Sequence, residues 1–163
     1  MKGMENMIKI RTRPKLFLLV LFLLFGIYPF AGHCLTLITP EEAEQPDAPM
    51  IRTRGIKMTR MEGDGPQIKI HSPNLEEPLS IPFIVDIAFE ASPEKIIDFD
   101  SLSIKYLKVI AIDLTGRIKP YLKNNRLMVK DVKVPQGRHR LQFFIAYTSG
   151  ERTMMEIFLN VEK

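Results

Sequence analysis

The stretch KVPQGRHRLQFFIAYTSGE, residues 133–151, decides how the chain is read. Pro135, Gln136 and Gly137 supply a turn, after which Leu141, Phe143, Ile145 and Tyr147 alternate with residues of mixed polarity up to Gly150. Alternation with period two marks a strand that buries one face. The next run repeats it, with Met155, Ile157, Leu159 and Val161 at odd positions. Directly paired residues share a face, so two odd-numbered sets need a connecting loop with an odd number of residues. Thr148-Ser149-Gly150 is such a loop, with glycine where a left-handed residue is required. The expected register pairs Phe143 with Met155 and Leu141 with Ile157 inside, and Phe144 with Met154 and Gln142 with Glu156 outside.

The same period extends upstream. Ile68 and Ile70 alternate before Ser72-Pro73-Asn74, and Phe83, Val85, Ile87 and Phe89 alternate with Ile84, Asp86, Ala88 and Glu90. Leu102, Ile104 and Tyr106 follow, then shorter runs at Val109–Ile112, Leu127–Val129 and Val132–Val134. Helix-like pieces are confined to single turns near Pro93–Ile97 and Gly116–Leu122. About seven short strands in about a hundred residues, separated by turn residues, predict an all-β, two-sheet sandwich over residues 66–163.

Several pieces resemble the bacterial immunoglobulin-like domains of secreted and cell-surface proteins. They are Ile97-Asp98-Phe99-Asp100-Ser101-Leu102-Ser103-Ile104, Asp113-Leu114-Thr115, Pro135-Gln136-Gly137-Arg138-His139-Arg140-Leu141 and Tyr147-Thr148-Ser149-Gly150-Glu151, in that order. The chain departs from the pattern at the hairpin, where Tyr147 stands for Asp and Glu151 for Asn. The resemblance implies an immunoglobulin-like sandwich in a surface setting and carries no activity with it.

Residues 1–34 read differently. Lys9, Arg11, Arg13 and Lys15 precede the apolar run Leu16–Phe25, and small residues follow to Gly32, the layout of an export signal. Cleavage after Cys34, retention of residues 16–32 as a membrane anchor, and lipidation of Cys34 after Ala31-Gly32-His33 remain alternatives. Each places the rest of the chain outside the cytoplasm. Residues 1–34 hold five Lys or Arg against one Glu, a surplus equal to the net +4 of the whole chain, so residues 35–163 are neutral. No nucleic-acid partner is expected from such a balance. Cys34 is the sole cysteine, so the core must hold without a disulfide. Residues 35–65, with Pro40, Pro46, Pro49 and an acidic block before a basic one, read as a flexible linker.

Reactive side chains are sparse. Met58 and Met61, with Met50 and His71, are thioether and imidazole donors of the kind cuprous copper takes, but no second cluster accompanies them. Asp98 and Asp100 form a D-x-D pair, with Asp86, Glu90 and Glu94 upstream. Calcium accepts such ligands, yet no glycine-bearing loop surrounds the pair and solvated positions explain it equally. His139 is expected as a strand-edge residue packing over the turn; a hydrolase would need it beside two carboxylates in a concave site. Thus no catalytic residue, metal or cofactor is expected. Residues 76–100 carry seven acidic side chains against Lys95, and residues 117–140 eight basic ones against Asp131.

The expected role is a non-enzymatic structural or binding module at the cell envelope. Its partner would be an envelope protein or an anionic envelope polymer, with membrane contact only through residues 16–32 if the signal is uncleaved. Arg117, Lys119, Arg138, Arg140, Phe144 and Met154 form the expected partner surface. A carbohydrate- or cell-wall-binding module is the first alternative, with Tyr121 and Tyr147 standing in for the absent tryptophan, and a hydrolase using carboxylates and His139 is the second.

Overall fold

The computed structural model describes residues 34–49 and 59–162, and among residues 59–61 only the backbone. The first half of the fold comprises β1 (Leu35–Thr36), α1 (Pro40–Ala43), β2 (Thr59–Glu62), β3 (Gln67–Ser72), β4 (Phe83–Glu90) and β5 (Ile97–Tyr106). The second comprises β6 (Ile112–Asp113), α2 (Thr115–Ile118), a 3-10 turn at Lys119–Tyr121, β7 (Leu122–Lys123), β8 (Arg126–Lys133), β9 (Gly137–Tyr147) and β10 (Arg152–Val161). Two five-stranded sheets result. Sheet one runs β1-β8-β4-β3, with β7 also on β8, and sheet two runs β2-β10-β9-β5-β6. Only β1 on β8 is parallel among these pairings.

The hairpin of β9 and β10 has the expected register, with Phe143 on Met155, Leu141 on Ile157, Phe144 on Met154 and Gln142 on Glu156. Tyr147 and Glu151 close the loop, and Gly150 takes φ +100°, which a side chain would resist. The odd-numbered set is buried on both strands. It meets Phe83, Val85, Ile87, Phe89, Leu127 and Val129 of sheet one in a single apolar core.

Two apolar runs, Leu127–Val129 and Val132–Val134, turn out to share one strand and its exit. Both sets are buried although they are out of phase, because β8 has an extra residue there: Phe83 faces Val132 and Val85 faces Val129. Asp131, at φ +55°, absorbs it and resets the alternation. Val109–Ile112 is corrected: only Ile112–Asp113 is strand, and Val109 and Ile110 are exposed loop residues. No helix forms near Pro93–Ile97, where Glu94 takes φ +66°, whereas Gly116–Leu122 does hold α2 and the 3-10 turn.

The linker expected over residues 35–65 is corrected for its described part. Leu35 and Thr36 pair with Val132 and Lys133, Leu37 donates its amide to Lys133 O, and Leu37 and Ile38 are buried. Thr39 caps α1 in a reciprocal box with Glu42, where sequence reading had seen only proline and charge. Downstream, Thr59–Glu62 pairs with Met154–Ile157 of β10. Apolar residues at 35, 37 and 38 seal the edge of β8, so this segment belongs to the core rather than to a spacer. Residues 1–33, including the run 16–32, and residues 50–58, including Met50 and Met58, lie outside the described residues. No described helix is long and apolar enough to cross a membrane.

Candidate functional site

Two cations at expected or unremarked positions are consumed in holding the segment 35–49. Arg117, on α2, reaches Glu42 with both terminal nitrogens at 2.8 and 2.6 Å and donates to Leu37 O at 2.7 Å. The Arg117 bond holds the Glu42 carboxyl below its ordinary range, against the opposing effect of burial. This bidentate pair is a clamp rather than a free docking cation, which corrects the expectation for Arg117. Arg117→Ala is therefore expected to cost about 2 kcal/mol, the scale of bonds to charged groups, in urea unfolding.

Lys108 is the second clamp. It is 5% exposed, and its Nζ donates to Asp47 Oδ1 at 2.7 Å and to Ala43 O at 2.8 Å. The ammonium stands 4.9 Å from the Tyr106 ring centre. Burial pulls its pKa down, but the bonds to Asp47 and Tyr106 outweigh this and leave it above the ordinary lysine value.

Beside it lies His139, 2% exposed and inward-facing in β9. Its Nε2 is 2.8 Å from Pro135 O, which can only accept, so that nitrogen carries the proton. Nδ1 then accepts from the Tyr106 hydroxyl at 2.9 Å. Burial, first, and the Lys108 charge keep the imidazole below its ordinary pKa. The expected edge position is corrected to a core one, although the contact with the turn is present. Both ring nitrogens are engaged by the fold, leaving neither as a base for substrate.

Sheet two turns another set of side chains outward. Arg138 stacks 4.4 Å above the Phe158 ring, and among the described residues it makes no ion pair. Arg140 bonds Glu156 through Nη2 at 2.8 Å, and Gln142 bonds the same carboxylate at 3.3 Å. Asp47, Ala48, Leu107, Arg138, Arg140 and Phe158 line a depression of about 70 Å³. Phe144 and Met154 are cross-strand partners on this face, half-buried. Thus Arg138, Arg140, Phe144 and Met154 share one face. Lys119 is separate from them in the fold, following α2 and paired with exposed Asp100 at 2.9 Å.

The acidic residues do not converge. Asp86 is bound by Arg126, Glu90 by Lys69 and Asp100 by Lys119, while Asp98 accepts the Asp100 amide within a bulge of β5. Among the described residues, no group of three or more His, Cys, Asp or Glu side chains is arranged to hold a metal. Tyr147 is buried beneath Lys95, its hydroxyl accepting from Ser92 N, and Tyr121 packs half-buried on the core. Neither offers a sugar platform. Cys34 is exposed, with its thiol 2.9 Å from Asp131 O.

Sequence reading missed Lys108, Glu42, Asp47, Phe158 and the His139–Tyr106 pair. Lys108 had a signal: it continues the inward phase of Leu102, Ile104 and Tyr106. Phe158 likewise has the outward parity of Met154 and Glu156. Comparison with protein-family models, with curated proteins and with solved structures yields no match to this chain.

Proposed function

We propose that the chain is an exported, non-enzymatic immunoglobulin-like module that binds an envelope partner through the outer face of sheet two. The observation that carries this is Arg138, a cation stacked on Phe158 and without an ion-pair partner among the described residues, on a face shared with Phe144 and Met154. A guanidinium held over an aromatic ring still has its N–H donors to offer a carboxylate or phosphate. The charged groups elsewhere are largely committed to the scaffold, which favours binding over catalysis.

Strand order supports the immunoglobulin-like reading. In chain order, β3-β4-β8-β7 and β10-β9-β5 reproduce the ABED and GFC arrangement of that sandwich, with β1, β2 and β6 added at edges. The export layout of residues 1–34 supports an envelope setting, and protease accessibility of the full chain in intact against broken cells tests it.

Binding is tested with residues 34–163 incubated on isolated cell-envelope material. Arg138→Glu is expected to lower retention roughly tenfold, the loss of a contact worth about 1.4 kcal/mol, while Lys119→Glu leaves it unchanged. No retention, or equal losses for both variants, would refute this face as the docking surface.

A further inference from the structure

We propose that the outer face of sheet one around Ile84 lies against a phospholipid bilayer, so that membrane contact extends beyond residues 16–32. The inference rests on the export reading, with residue 34 retained on the chain.

The register locates this face. Leu35, Val132 and Phe83 form one row across β1, β8 and β4, so the adjoining outward row holds Cys34, then Lys130 and Asp131, then Ile84. Cys34 and Ile84 are two strand spacings apart, about 10 Å. Ile84 is 47% exposed, Met128 lies on the same face at 44%, and Ile81, two residues before β4, is 42% exposed. They account for half of the six large exposed apolar side chains among the described residues. Lys130 and Lys133 are exposed alongside, with Asp131 between them and the Asp86–Arg126 pair balanced below.

Isolated exposed apolar residues are ordinary, but Ile84 and Met128 stand on the face whose edge carries Cys34. Residues 16–32 are apolar, and only His33 separates them from Cys34, which abuts β1 directly. Both membrane-bound fates, an uncleaved anchor or a lipid on Cys34, attach the bilayer at this residue. Residues 35–38, directly after Cys34, are themselves built into the fold. Apolar side chains at the headgroup boundary beside lysines directed to lipid phosphates suit such a surface.

The chain has no tryptophan, so single introduced ones report cleanly. The full chain carrying Ile84→Trp, or Phe144→Trp on the other sheet, is reconstituted into phosphatidylcholine–phosphatidylglycerol vesicles with brominated acyl chains. The expected result is a blue shift and at least roughly twofold quenching at position 84, with little change at 144. Equal quenching at both, quenching only at 144, none at 84, or failure of the chain to float with vesicles would each overturn the proposal. Ile84 is exposed, so its replacement leaves the core intact, and circular dichroism verifies folding. Reconstitution supplies the bilayer directly, so a failure of export in cells would strike the proposed function without altering this measurement.

Discussion

A chain shortened to residues 66–163 is expected not to fold, whereas residues 34–163 unfold cooperatively in urea. The shorter piece contains most of the strands, but it lacks Leu37 and Ile38, both buried, and the edge pairing of Leu35–Thr36 on β8. Truncating one such side chain to alanine costs about 2–5 kcal/mol. Losing both approaches the whole stability of a small domain, about 5–15 kcal/mol. Removing β2 strips a further edge from β10. The measurement is far-ultraviolet circular dichroism with urea titration of both pieces, and Ile38→Ala in the longer one. A cooperative transition for residues 66–163, within about 1 kcal/mol of the longer piece, would show that segment 35–49 merely rests on a finished core.

The second large effect concerns Tyr106. Tyr106→Phe removes the one hydrogen bond to His139 Nδ1 found among the described residues and leaves a buried acceptor unsatisfied, an expected loss of about 1–3 kcal/mol. His139 also makes stability depend on pH. Its folded pKa lies below the ordinary 6.5, so as pH falls past 6.5 the unfolded chain takes up a proton that the folded chain refuses. Stability is therefore full above that value and declines as pH falls toward the folded pKa. Lys108 and Asp47 are the charged neighbours, the first adding to the depression and the second opposing it. Glu42 and Asp86 have lowered pKa values, so their stabilisation is lost only as pH falls through values below the ordinary carboxylate range. Urea midpoints between pH 7.5 and 5 should fall for the native chain and less steeply for His139→Gln. Parallel profiles would show that this histidine does not govern the window.

What was legible followed from local period. Odd positions in β4, β9 and β10, and the even positions Leu102, Ile104 and Tyr106 of β5, are the buried ones, because adjacent side chains on a strand must face opposite ways. Loop parity gave the hairpin register for the same reason. The segment 35–49 was misread because its two buried residues are adjacent and its strand has two residues, so no period exists to detect. The proposed partner surface was half legible. Outward parity paired Phe144 with Met154, and charge counting picked out Arg138 and Arg140 on the same face, but counting could not foresee that Glu42 occupies Arg117 across 75 residues.

By itself the sequence determined that the chain builds alternating strands with a turn at each glycine-bearing break, and that its net charge lies ahead of residue 35. Those properties are local: pleat direction and turn conformation are decided within a few residues. Only the tertiary structure decided which ionisable groups are spent. Lys108, His139 and Arg117 each take a partner at least 33 positions away, which the strand order brings within hydrogen-bond reach. Spacing along the chain carries no record of that proximity, because hydrogen bonds and desolvation act through space.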